Sequence, residues 1–509
     1  TGTACGRGVL QSASCFVCPP TRKMPLAMNQ TPSSTEHPAA EPLDQSRLPW
    51  YAGITNYQWL VLVIASLGWV FDVFEGQIFV ASMRDAMPAL LSQSAGETIS
   101  ADSPIVTRWN DWAFGSFLLG GAFGGVLFGV VSDKIGRSRT MIVTILFYSL
   151  FTCVTAFAQS AWQMVVLRFL VAMGVGGEWA VASAMVAEVM PARSRSVMSS
   201  IFHASSVFGT LLAAAAGATI VANPDLGPSA WRWGFAIGVL PALLTIWVRW
   251  KLREPEQWVQ ARERAAKDEA EQTGRLSELF SGVNLRATIV GVTLSSIGLV
   301  TFWGVHIYGK NALMRNAEGA ALAAEGVVPP PPDDPDAAAA HKAAKREALT
   351  KHAPAIKRAE MLSMVLNTIG GGLGLVLFGT ISNRLGRRGA FILYHAVAFF
   401  MVLLLFQVLI ANQVGSLWLA LFLPIFGFFT LGMHAGYAVY FPELYPTRLR
   451  GTGAGFCFNM GRLATAAAFF GFGATSIGVD QKAMYLAPLY LLGVVVVLFG
   501  RETRGTELE

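Results

Sequence analysis

The sequence predicts an all-α integral membrane protein, with twelve transmembrane helices arranged as two pseudo-symmetric six-helix bundles. Three observations carry this expectation. The 509 residues are 53% hydrophobic and only 14% charged, with a mean hydropathy of +0.48, against about 25% charged residues in soluble domains. Long apolar runs recur along the chain. Two charged motifs recur in register, six runs apart. The composition excludes an ordinary soluble enzyme and a disordered scaffold, both of which carry more surface charge. The net charge of +6 suits a membrane protein that gathers Lys and Arg in its cytoplasmic loops better than a nucleic-acid binder. Five cysteines are too few and too scattered for a disulfide framework.

Residues 1–55 are polar and Pro/Ser-rich, as in Thr31-Pro32-Ser33-Ser34-Thr35, and read as a disordered cytoplasmic tail. No basic segment followed by an apolar one marks a signal peptide. The first methionines are Met24 and Met28, so residues 1–23 read as an upstream extension of the start. Cys15 and Cys18 have C-x-x-C spacing but no second pair, a weak signal for a metal or redox site.

The apolar runs fall at 57–82, 110–132, 140–159, 162–190, 196–222, 231–250, 286–309, 360–382, 389–411, 416–440, 451–477 and 483–500. Each is long enough for the roughly 20 residues a span requires. Their apolarity is continuous rather than alternating, which means helices, whose backbone hydrogen bonds are satisfied internally, and not barrel strands. The first bundle is expected over 56–250 and the second over 286–500. A charged helical linker at 251–285 joins them, an insert at 311–358 interrupts the second, and 501–509 form a short tail. The loops after runs 2, 4, 6, 8 and 10 carry basic residues, among them Lys134, Arg137 and Arg139, Arg193 and Arg195, Arg387 and Arg388, and Arg448 and Arg450. The loops after runs 3 and 9 carry none. The positive-inside bias therefore places the basic loops and both termini in the cytoplasm and the insert outside.

The repeat is direct. Gly129-Val-Val-Ser-Asp133-Lys134-Ile-Gly136-Arg137-Ser-Arg139 follows run 2, and Gly379-Thr-Ile-Ser-Asn383-Arg384-Leu-Gly386-Arg387-Arg388 follows run 8, 250 residues later. Glu188-Val-Met-Pro191-Ala-Arg193-Ser-Arg195 ends run 4, and Glu443-Leu-Tyr-Pro446-Thr-Arg448-Leu-Arg450 ends run 10, 255 residues later. Two motifs at nearly one offset indicate a duplicated six-helix unit. Gly136 and Gly386 allow a tight reversal between helices. Glu188 and Glu443 are expected partners for the arginines, in ion pairs that either gate the protein or staple its fold.

These motifs resemble those of the major facilitator superfamily over residues 56–509. The loop after run 2 is similar to the family's signature loop, with Asp133 and Arg137 in place, whereas Asn383 replaces the aspartate in the second copy. Arg253-Glu254-Pro255-Glu256-Gln257-Trp258 and Arg501-Glu502-Thr503-Arg504-Gly505 resemble the Pro-Glu-Ser-Pro-Arg-Trp and Pro-Glu-Thr-Lys-Gly segments of sugar porters. Gly176-Gly177-Glu178-Trp179 is similar to a segment of carboxylate and sialate proton symporters. The resemblance implies alternating access, two rocking bundles and a central site near the membrane midplane.

Charges inside the membrane are costly and mark functional positions. Asp72 and Glu75 share one face of run 1 in a low-dielectric setting suited to proton uptake. The resemblance implies that Asp72 pairs with Arg168 of run 4 to couple protons, with Glu178 deeper in the same run. The competing role for Arg168 is as an outward-snorkelling anchor. Arg462, in Asn459-Met-Gly461-Arg462, offers two parallel donors that match a carboxylate; the competing reading pairs it internally with Glu75 or Glu178. Gln77, Trp179, Tyr437 and Asn459 are expected to add hydrogen bonds and stacking to the substrate site. The gating set is Gly129, Asp133, Gly136, Arg137, Arg139, Glu188, Arg387, Arg388, Glu443 and Arg448. His203, His306, His395 and His434 lie on four runs without metal-ligand spacing and read as helix contacts.

No nucleotide-binding loop appears. The sequence thus points to a monomeric secondary transporter in the plasma (inner) membrane. Its partners are a small-molecule substrate, protons and lipid, with no nucleic acid. It needs no cofactor beyond a proton gradient, and it carries a small organic acid such as a monocarboxylate or sugar acid. The alternatives are a sugar or polyol symporter, an exporter of hydrophobic cations, disfavoured by Arg462, and a transporter-like sensor.

Overall fold

A computed structural model describes residues 49–100, 103–221, 223–328, 335–473 and 479–508. The C-x-x-C pair, the extension 1–23, nearly all of the tail and Pro329 to Pro332 lie outside the described residues. The rest is helical, with no strand among the described residues.

In chain order the long helices are α1 (Asn56–Ala95), α2 (Pro104–Ile135), α3 (Arg137–Thr155), α4 (Ala161–Val189), α5 (Ala192–Val221) and α6 (Ala230–Val248). They continue as α7 (Gly282–Ala324), α8 (353–385), α9 (387–410), α10 (Ser416–Leu444), α11 (Arg450–Gly473) and α12 (Asp480–Leu498). Ten stretches among the described residues are long and apolar enough to cross a membrane. α8 and α9 count as one of these because helix runs on at both sides of Gly386, where φ is 81° and ψ 167°. α11 is not among the ten. Its run of glycines, with Arg450 and Arg462, dilutes its apolarity.

The linker contains a helix at Glu256–Lys267. The insert extends α7 to Ala324 and adds a helix at Pro335–Lys351, joined by Glu325, which takes Lys351 and His352 at 2.9 Å each.

Sequence dictates the packing through its glycines. At Gly120 and Gly124 of α2, a Cβ would run into the backbone of Phe169 and Met173 on α4. At Gly370 and Gly374 of α8, each 250 residues later, it would run into Pro424 and Phe428 on α10. Backbones this close leave no room for a side chain, and such contacts hold membrane helices together where the hydrophobic effect does not. The same two helices also bridge the halves. Gly129 of α2 lies against Gly451 of α11, and Gly379 of α8 against Ser196 of α5.

The repeated turns are held by the segments around Glu254 and Glu502. The Glu254 carboxylate accepts the N–H groups of Arg137 (2.6 Å), Ser138 (3.2 Å) and Arg139 (3.3 Å) at the start of α3. Glu502 does the same for Arg387 (2.8 Å) and Arg388 (3.1 Å) at the start of α9. Each acidic segment meets the orphan donors of a helix N-terminus with a negative charge.

Candidate functional site: a central cavity and a polar latch

A cavity of about 370 Å³ is lined by α1, α2, α4 and α5 of the first half and by α7, α8, α10 and α11 of the second. Its walls are largely apolar and aromatic, including Trp69, Phe117, Phe302, Trp303 and Phe458. Among the described residues, the charged ones that line it are Asp72, Lys310 and Arg462.

Asp72 is 1% exposed, and neither of its carboxylate oxygens has a hydrogen-bond partner among the described residues. The Tyr148 hydroxyl faces it without hydrogen-bonding geometry. Arg462 crosses from α11 to Gly121 of α2, where a Cβ would strike its guanidinium. Its Nη1 is buried without a partner among the described residues, and its guanidinium carbon lies 5.7 Å from the Phe458 ring. It pairs with neither Glu75 nor Glu178. Gln77 joins these two on the wall.

The expected Asp72–Arg168 pair is not formed. Arg168 bonds Glu75 instead, one turn further along α1, with Thr152 donating to the same oxygen at 3.2 Å and Arg168 Nη2 donating to Thr155 at 2.7 Å. Phe79 and Phe235 flank the guanidinium at 5.1 and 4.9 Å. The physical reason is reach. The i, i+3 step puts both carboxylates on one face of α1, and only Glu75 lies level with the Arg168 tip. Arg168 is fully buried, so it is not an outward-snorkelling anchor. Glu178 takes the Thr144 hydroxyl at 2.6 Å, while its other oxygen rests on Gly68, one turn before Asp72.

Trp179, Tyr437 and Asn459, expected to touch substrate, do not line the cavity. Trp179 stacks on Phe458 at 3.8 Å and donates to His203 Nδ1 at 3.3 Å. Tyr437 donates to the Leu294 carbonyl at 3.3 Å, and Asn459 to that of Gly455 at 2.9 Å. They form the layer that positions the wall.

Sequence reasoning missed Lys310, which lies one residue beyond the run 286–309. His203, His306 and His434, expected as helix contacts, also line the cavity. His306 sits in a π-helical turn, Phe302–His306, a distortion common at functional positions. Thr430 gives its hydroxyl proton to Phe426 O (2.7 Å), so its oxygen accepts from His306 Nδ1 (2.8 Å). Nε2 is then the acceptor for Asn367 Nδ2 (3.1 Å). Both ring nitrogens are satisfied in the neutral form. His395 lies off the wall and donates to Phe391 O. No three metal-ligating side chains cluster among the described residues.

At the end carrying the basic turns the halves are latched. Asp133 caps α11: Gly451 N–H (3.0 Å), Thr452 N–H (2.8 Å) and the Thr452 hydroxyl (2.6 Å) all donate to it. Arg137 bonds Asp133 and Glu188, and donates to Thr447 O across the seam at 3.0 Å. Glu188 also receives Arg450 of the second half at 3.0 Å. In the second copy, Arg387 holds Glu443 through two bonds of 2.8 and 2.9 Å. Asn383 keeps a neutral version of the Asp133 role, accepting from Ser196 of α5 at 2.5 Å and from Arg387 at 3.2 Å. Arg448 reaches the linker glutamates Glu278 (2.5 Å) and Glu271 (3.4 Å) rather than Glu443. Arg139 and Arg388 enter the turns through their backbone N–H groups.

The family model described as sugar (and other) transporter matches residues 58–297 and 344–509. A putative metabolite transport protein of Haemophilus influenzae is 28% identical, over 87% of this chain and 95% of its own length. The cis,cis-muconate transport protein of Acinetobacter baylyi is 28% identical, over 83% and 93%. Among solved structures, the proton:xylose symporter XylE shares the fold with a TM-score of 0.68 at 17% identity, covering 89% of this chain and 98% of that one.

Proposed function

The chain belongs to the sugar (and other) transporter family, within the major facilitator superfamily, and from that premise we propose that it is a proton-coupled symporter of a small organic acid working by alternating access. It is a transporter, not an enzyme. One observation carries the proposal: a carboxylate and a guanidinium, Asp72 and Arg462, face one cavity between the halves, and neither is bonded among the described residues. A buried charge without a partner is costly, so the pair is poised to take up what neutralises it. A proton neutralises Asp72. A substrate carboxylate takes the two parallel donors of Arg462. With both loaded, the halves rock, and the latch around Asp133, Arg137 and Glu188 opens.

Glu75 and Arg168 stand behind as a closed pair, with Glu178 as a second proton site beside Asp72. In this reading the basic turns and both termini face the cytoplasm, the protein acts as a monomer in the plasma (inner) membrane, and the proton gradient is its energy source without a cofactor.

A sugar or polyol symporter is the second reading, favoured by the family model and by the likeness to XylE. The unbonded guanidinium of Arg462 weighs against it, because a neutral sugar brings no counter-charge to it. The test is uptake into proteoliposomes under an imposed pH gradient. Acid uptake is expected to follow the proton gradient, to lose its pH response in Asp72→Asn and to fail in Arg462→Gln. Full sodium dependence without a pH response, or an Arg462→Gln variant that still carries substrate, refutes the acid symport reading.

A further inference from the structure

Lys310 has no task in the symport cycle above. Its backbone is pinned where the membrane part of α7 turns into its extension: its N–H donates to His306 O at 2.9 Å, and its carbonyl accepts the Ser363 hydroxyl of α8. The side chain is half-buried on the cavity wall, and its ammonium has no hydrogen bond or ion pair among the described residues. Glu360, the carboxylate whose charge reaches it, is held by Lys357 at 2.8 Å.

Among the described residues the cavity therefore carries two cations without a bonded counter-ion, Lys310 and Arg462, and one carboxylate, Asp72. With Asp72 ionised the wall bears one net positive charge. With Asp72 protonated it bears two. Unpaired cations against apolar walls are unfavourable unless the ligand neutralises them. A monoacid leaves one of them bare in the proton-loaded state. A diacid satisfies both, and the loaded cavity becomes neutral, which is the state that must cross between the two conformations.

We propose that the substrates are dicarboxylates with an apolar spine: one carboxylate on Arg462, the other on Lys310, and the spine against Phe302 and Phe458. This rests on the acid reading above and narrows it.

The test uses the full chain in lipid nanodiscs at mildly acidic pH. Calorimetry compares matched acids that differ by one carboxylate: sorbate with trans,trans-muconate, benzoate with terephthalate, and hexanoate with adipate. In at least one pair the diacid is expected to bind about tenfold or more tighter, the worth of one charge-assisted contact. Lys310→Gln brings that ratio close to one, Lys310→Arg keeps it, and Arg462→Gln weakens both members. The ratio is insensitive to the fraction of folded protein. No preference for the diacid in any pair, or a preference that survives Lys310→Gln, overturns the proposal while leaving the acid reading standing. An Arg462→Gln variant that binds the acids as the parent does overturns both.

Discussion

Asp133→Asn tests the latch most directly. In the observed conformation Asp133 receives two backbone N–H groups and one hydroxyl from the first turn of α11, besides Arg137. The asparagine is nearly isosteric but neutral, and its NH₂ faces donors. It retains one acceptor oxygen and loses one or two bonds to an ionised group, each worth about 1.5–3 kcal/mol. Its neutrality also removes the favourable interaction with the N-terminus of α11, about 0.3–1 kcal/mol. A total near 3 kcal/mol shifts the balance between latched and unlatched conformations by about a hundredfold. The second half shows what the substitution creates, because Asn383 already stands at the corresponding position.

The measurement is the distance distribution between spin labels on Lys134→Cys and Arg384→Cys, exposed positions on the two turns, in a chain whose five native cysteines are replaced. The parent is expected to give mainly the short latched distance. Asp133→Asn is expected to populate a longer one substantially. An unchanged distribution would show that Asp133 serves folding alone and that the latch does not set the conformational balance.

Three further outcomes are expected. Glu75→Gln leaves Arg168 buried without its anion and should cost about 3–5 kcal/mol, read as a lower thermal unfolding midpoint; Glu75→Gln with Arg168→Gln should recover much of it, and additive losses would show that the two are not coupled. Gly124→Val drives a side chain into the Met173 backbone and should destabilise by about 1–3 kcal/mol or more, whereas Gly319→Ala, with open space around it, should be neutral or slightly stabilising by the same measurement. Burial alone would raise the Glu502 carboxyl, but the N–H groups of Arg387, Arg388 and Arg504 and the Arg387 charge outweigh it and hold it below the usual glutamate range. Its contribution is therefore present at neutral pH and lost as pH falls through that lowered value, so stability profiles of the parent and Glu502→Gln should differ at neutral pH and converge in acid; parallel profiles would remove Glu502 from the α9 cap.

The features legible in the sequence are those with a short-range signature. Apolar runs, basic turns and the repeat at 250 residues all follow from local chemistry, and Glu188 and Glu443 were recognisable as partners of the repeated arginines. Which arginine each one takes was not. Arg137 and Arg450 converge on Glu188 across 51 and 262 residues of chain, and Arg448 turned away to the linker. Trp179 and Tyr437 carried residue types suited to a binding site, yet burial behind Phe458 made them support. Lys310 carried no signal, because one lysine at the end of an apolar run is indistinguishable from an interfacial anchor.

The sequence by itself determined that this chain spans a membrane as a duplicated helical unit, because hydropathy and backbone hydrogen bonding leave no other solution for such runs. Only the tertiary structure decided which charges meet. Arg168 chose Glu75, leaving Asp72 and Arg462 unbonded on a shared cavity, because ion pairing depends on ångström-scale reach between helices that the linear spacing of residues does not encode.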